Sequence, residues 1–147
     1  MERILDSHVE GENISSAHAA LIIVYRCFGI EVPPQSKPIE NWMDVINCLN
    51  KSGLRIRFET GSNLHSIHLA FIQKSSPIIV SWHDSNILGE NETFSVIQRI
   101  DEKELALIVP NKVGTQVVSW QDFTERWSAG GSERAFLMLS PSLTKTQ

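Results

Sequence analysis

The order of hydrophobic patterns in this chain predicts an α+β domain, with N-terminal helices packed to one side of an antiparallel β-sheet. Apolar residues recur at helical spacing in two stretches of the first half, and short apolar runs of strand length follow Pro77. Neither an internal repeat nor a low-complexity run interrupts them. With 147 residues, of which 41 % are apolar and 20 % charged, the chain suits one core in one domain, expected over residues 1–140 with 141–147 as a flexible tail or linker.

Ser15 and Ser16 are fit to cap a helix running from Ala17 to Phe28, and Gly29 supplies its left-handed stop. Apolar residues cover nearly the whole circumference of that segment, so the helix is expected to be central and buried. After Pro33-Pro34, Pro38 suits a first helical turn, and Trp42, Val45, Ile46 and Leu49 follow the i, i+3, i+4, i+7 spacing of an amphipathic helix ending at Gly53. Leu54 to Glu59 alternates apolar residues with Arg55 and Arg57, the period of a half-exposed strand. Ser62 then opens a short helix carrying Leu64, Ile67 and Phe71.

Strands are expected at 78–80, 93–100 and 104–109, the last two joined by a tight reversal at Asp101-Glu102-Lys103. Gln116 to Ser119 gives another. Ser119 and Asp122 form a capping-box pattern before a helix in which Phe123 and Trp127 share a face, and Ala135 to Leu139 closes the sheet.

Composition excludes several functions. A formal charge of -4, with 13 basic residues outnumbered and scattered, argues against nucleic acid as a partner. The longest apolar stretch, Ala17 to Phe28, is broken by His18 and Arg26 and is too short to span a bilayer, so no direct membrane insertion is expected. Met1-Glu2-Arg3 leads into polar residues without an apolar signal region, which points to the cytoplasm. Two cysteines, Cys27 and Cys48, are too few for a disulfide framework, and both fall inside helical patterns, where a buried thiol is inert. The sequons at Asn13 and Asn91 carry no meaning in such a chain.

Chemistry-bearing groups are sparse. His65 and His68 share a helix face, yet no acidic residue stands beside them at ligand spacing, so neither a metal nor any other cofactor is expected. His83-Asp84 has the residue types of a base and its orienter, but neighbours on a strand point to opposite faces, and a solvated loop is the better reading. Of the four tryptophans, Trp42 and Trp127 fit core edges. Trp82 stands where a strand gives way to a polar loop, a place for a partly exposed platform under an extended peptide.

Several of these patterns together resemble the papain-like cysteine peptidases that trim double-glycine leader peptides at the front of bacteriocin ABC exporters. In that family a helix opens with Cys-Gly-x-Ala-Ala-Leu and ends near an aromatic-Gly pair, and here Ser16-Ala17-His18-Ala19-Ala20-Leu21 and Phe28-Gly29 occupy the pattern. Thr93-Phe94-Ser95-Val96-Ile97 matches the family's His-Phe-x-Val-Ile, Val109-Pro110 its Asp-Pro, and Ser119-Trp120-Gln121-Asp122-Phe123 followed by Trp127 its "Ser-x-x-Glu-Phe…Trp" helix. The likeness covers nearly the whole chain and implies a papain-like fold.

It also implies lost chemistry. The family's oxyanion-stabilising glutamine, nucleophile, base and orienter correspond to Glu10, Ser16, Thr93 and Val109. A serine without an imidazole is a very poor nucleophile at neutral pH, and a carboxylate is the wrong charge beside a developing oxyanion. The expectation is a pseudopeptidase with no catalytic residues. Degenerate domains of this kind stand at the front of haemolysin-type exporters, and the resemblance implies that they hold the unfolded secretion substrate. Expected partners are therefore an unfolded polypeptide or a leader or secretion-signal peptide, and the membrane and ATPase domains of an ABC transporter, which would put the chain at the inner face of the cytoplasmic membrane. Contacts are expected from Trp82 and His83, from the loop running to Asn91, and from Ser16 and Thr93. The alternatives are a freestanding interaction or regulatory module, and an active hydrolase using Ser16, Cys27 or Cys48 with one of the histidines.

Overall fold

The computed structural model describes residues 15–31, 38–74, 77–82, 93–108, 115–128 and 134–140. Helix α1 (Ser16–Cys27) begins one residue before the expected start, because Ser15 alone is the cap: its Oγ accepts the His18 N–H at 3.1 Å. The Gly29 N–H bonds to the Arg26 carbonyl with Gly29 at φ +69°, so the predicted left-handed stop is in place. Ala17, Ala19, Ala20, Leu21, Ile23, Val24 and Tyr25 are buried, leaving only a thin outward stripe through His18, Ile22 and Arg26 at i, i+4 spacing.

Asn41 caps α2 (Trp42–Lys51) by accepting the Asp44 N–H at 2.9 Å, and the Asp44 carboxylate returns to the Glu40 N–H at 3.0 Å. Trp42, Val45, Cys48 and Leu49 form its buried face. The Ser15 hydroxyl also donates to the Ile39 carbonyl, which ties the head of α1 to the segment leading into α2.

Six antiparallel strands follow the spatial order β1-β6-β2-β3-β4-β5: β1 (Arg55–Glu59), β2 (Ile78–Trp82), β3 (Thr93–Ile100), β4 (Glu104–Ile108), β5 (Thr115–Ser119) and β6 (Phe136–Ser140). An irregularity between Ile97 and Arg99 shifts the β3–β4 register by one residue. Helix α3 (Leu64–Lys74) precedes β2, and α4 (Trp120–Ser128) follows β5. Asn63 rather than Ser62 caps α3, its Oδ1 accepting the Ser66 N–H at 2.9 Å, while Ser119 caps α4 as its pattern indicates.

The helices do not all lie on one side. Helices α1 and α2 pack with Ile79, Phe94, Val96, Ile108, Leu137 and Leu139. The opposite face of the same strands, with Ile78, Val80, Trp82, Ile97, Leu107 and Met138, carries α3 and α4. The reason is in β2, whose five residues are all buried: a strand enclosed at every position, with apolar side chains on both faces, needs cover on both sides. Cys27, which its apolar neighbours would bury, falls in the last turn of α1 and is exposed, whereas Cys48 is buried beneath the Tyr25 hydroxyl. Burial, and next the bond to Cys48, push the Tyr25 phenol above its usual pKa.

The turn between β3 and β4 supplies a pH test. The Asp101 carboxylate accepts the N–H groups of Lys103 at 2.8 Å and Glu104 at 3.0 Å, and meets Arg99 at 2.9 Å. The two backbone bonds, seconded by the guanidinium, hold its pKa below the ordinary carboxylate value. Stability from a depressed pKa is complete above the unfolded-state value and is lost as pH falls through the folded one. Asp101→Asn keeps an acceptor oxygen but cannot titrate. Urea unfolding across the acid range should therefore show a shallower decline in stability for Asp101→Asn than for the wild type.

Candidate functional site

The head of α1 meets the start of β3. Ser16, the first helical residue, has its Oγ 3.0 Å from the Phe94 backbone nitrogen and accepts that N–H. The Phe94 ring in turn lies edge-on to Trp42, with centroids 4.9 Å apart. Thr93, immediately before Phe94, is completely buried, and its Oγ1 has no hydrogen-bond partner among the described residues. Ser16 and Thr93, 77 positions apart by number, are thus brought together by the packing of α1 on β3.

A buried hydroxyl without a partner costs about 1–3 kcal/mol of desolvation, so Thr93 needs a physical account. Thr93 has no exposed surface, so a ligand group reaches its hydroxyl only where the covering residues move aside. The first turn of any helix also presents N–H groups without intrahelical partners, and in α1 Ser15 takes only one of them, that of His18. These groups favour a carbonyl or carboxylate oxygen.

Among the described residues, the Ser16 hydroxyl has one hydrogen-bond partner, the Phe94 N–H, and no imidazole bonds to it. Burial lowers the pKa of His18, favouring its neutral form. Glu10, His83 and Val109, the other site positions read from the sequence, lie outside the described residues, as do Asp84 and the sequon residues Asn13 and Asn91. Val109 follows directly on Ile108, the last residue of β4, whose partner Val96 stands three positions after Thr93.

Trp82 is not a platform. It is 0 % exposed, and its Nε1–H donates to the Ser95 hydroxyl at 2.9 Å. Phe123 lies 5.6 Å from it between centroids, and the Arg126 guanidinium stands 5.7 Å over its ring. Trp42 is anchored in the same way on the other face, donating to Ser81 at 2.9 Å. The sequence did hold the signal for this: Ser81 and Ser95 are small polar residues inside runs that are otherwise apolar, and each is there to accept an indole N–H.

His68 stacks edge-on against Trp120 at 5.9 Å, while His65 is exposed. Among the described residues no group of three His, Cys, Asp or Glu side chains is placed to hold a metal ion. No helix among them is long and apolar enough to cross a membrane.

The class of fold follows from its solved neighbours. The peptidase domain of Streptococcus ComA, a bi-functional ABC transporter involved in a quorum sensing pathway, superposes with a TM-score of 0.66 over 94 % of this chain and 98 % of that one, at 13 % identity. A double glycine motif protease from an AMS/PCAT transporter, solved in complex with the leader peptide, gives 0.67 over 96 % of this chain and 94 % of that one, at 14 % identity. The chain therefore has the papain-like fold of the peptidase domains of double-glycine-motif ABC transporters. No family model and no curated protein matches the sequence.

Because Trp82 is fully enclosed, Trp82→Ala is expected to act on stability. Loss of the ring and of the Ser95 bond should cost about 3–5 kcal/mol, measured as a lower urea midpoint with an unchanged slope.

Proposed function

We propose that this domain is a pseudopeptidase that grips an extended or unfolded polypeptide and does not cut it. The observation that carries the reading is the pair at the head of α1: a serine whose hydroxyl accepts the Phe94 N–H, beside a buried threonine hydroxyl without a partner among the described residues. Ser16 stands where the resemblance puts a cysteine nucleophile, and Thr93 where it puts the base. Neither a serine hydroxyl nor a threonine hydroxyl carries a usable proton acceptor at neutral pH, so acyl transfer has nothing to drive it. What remains are hydrogen-bonding groups: the α1 N–H groups and the Thr93 hydroxyl, suited to the carbonyl groups of a main chain.

The partner class follows from the neighbours by analogy of fold. One of them is a double glycine motif protease held in complex with a leader peptide, and both belong to ABC transporters. We assign to this chain the same kind of ligand, an unfolded segment or leader or secretion-signal peptide of an export substrate. The membrane and ATPase domains of an ABC transporter are its proposed working partners, at the cytoplasmic face of the membrane.

A fluorescent peptide carrying a double-glycine leader sequence tests both halves of this reading. Anisotropy should rise on titration, amide shifts should concentrate at residues 15–17 and 93–94, and mass spectrometry should return the peptide intact. Thr93→Val removes the buried hydroxyl at little cost in volume, so it should leave the fold at least as stable as before and weaken binding about 5-fold, equivalent to about 1 kcal/mol. Cleavage after the double glycine would overturn the non-catalytic reading. Shifts confined to other surfaces would overturn the site.

A further inference from the structure

The sheet has two edges, and they are built differently. On β1 the exposed positions are Arg55 and Arg57, with Glu59 paired to Arg57, and charged side chains of this kind guard an edge against further strands. The strand β5, Thr-Gln-Val-Val-Ser, bears no charge at all, and Val117 is 53 % exposed at its centre. Among the described residues no strand pairs beyond it.

The phase of the β4–β5 ladder shows which backbone groups are left over. The Trp120 N–H bonds to the Lys103 carbonyl at 2.9 Å, and Leu105 stands opposite Val118 and Leu107 opposite Gln116. Hydrogen-bonded pairs alternate along an antiparallel ladder, so those pairs bond inward. The N–H and C=O groups of Thr115 and Val117 and the N–H of Ser119 then point away from β4, towards the open side, while the Ser119 carbonyl, at the N-cap of α4, serves the first turn of that helix.

We propose that this edge pairs with the β5 edge of a second copy of the chain, in antiparallel register about a two-fold axis at Val117. That register sets Val117 against Val117 of the second copy and Thr115 against its Ser119. Cross-strand pairs of two β-branched residues and of two hydroxyl residues are both favourable, and no charge meets a like charge directly. The outward groups would make about four hydrogen bonds between chains. Val117 lies on the sheet face opposite buried Val118, away from α4, so the new valine pair covers the exposed apolar side chain at the margin of the sheet. This pairing is separate from the head of α1, and its failure would leave the peptide-binding reading untouched.

Sedimentation velocity on the full chain under reducing conditions tests the pairing. The wild type should shift from monomer to dimer with rising concentration. Val117→Lys sets two ammonium groups together at the axis and should weaken association at least about 100-fold, since like charges placed directly opposite are destabilising. An equimolar mixture of Val117→Lys and Val117→Glu proteins should recover the dimer, an outcome that only this register gives. Should Val117→Lys fail to fold, judged by circular dichroism, Thr115→Lys provides the second disrupting substitution. Amide exchange at Thr115, Val117 and Ser119 should be slower in the wild type than in the disrupted protein. A wild type that stays monomeric at every concentration reached, a dimer indifferent to both lysine substitutions, or a charge-swapped mixture that does not associate would each overturn the proposal.

Discussion

A sheet whose middle strands are apolar on both faces has to be covered twice, and most of this structure answers that demand. β2 is buried at every position and bears apolar side chains on both faces, so one layer of helices must arrive from the N-terminal part of the chain and another from the segments on either side of the strands. Helix α1 is the deepest of these. Its small residues Ala17, Ala19 and Ala20 allow a close approach to β3, and that approach fixes where its first turn ends up. The candidate site is a by-product of this packing: the head of the most buried helix must abut the start of the strand it lies on.

That origin leaves the chemistry of the site independent of the scaffold that positions it. Placing Ser16 against the Phe94 N–H requires only core contacts, none of which depends on what the side chains at residues 16 and 93 can do chemically. The frame conserves position, and chemistry is an independent choice of residues on it. The solved neighbours at 13 % and 14 % identity make the same point from the other side, since so little shared sequence suffices for nearly full-length superposition.

Much of this was legible in the sequence because it rests on local rules. The cap at Ser15, the stop at Gly29, the amphipathic spacing of α2, the reversal at Asp101 and the cap at Ser119 all follow from side chains acting within four residues of themselves. The juxtaposition of Ser16 with Thr93 was reached only through resemblance, because nothing local links them. The errors share a cause as well. Trp82 looked like a surface platform because a polar loop follows it, and Cys27 looked buried because its neighbours are apolar. In each case tertiary packing decided: α4 returns across the sheet to cover Trp82, while the last turn of α1 leaves Cys27 outside.

The two thiols of the chain therefore differ sharply in access. Cys48 is enclosed with the Tyr25 hydroxyl at 3.5 Å, whereas Cys27 is open to reagents at the far end of α1, about 17 Å along the helix axis from Ser16 at 1.5 Å per residue. A maleimide dye added to the native protein would attach at one place, rigidly mounted on the central helix and well clear of its head. It would sense an arriving chain without obstructing it, and no engineered cysteine would be needed. The same openness means that air oxidation can couple two molecules through sulfur, producing a covalent pair that owes nothing to the sheet.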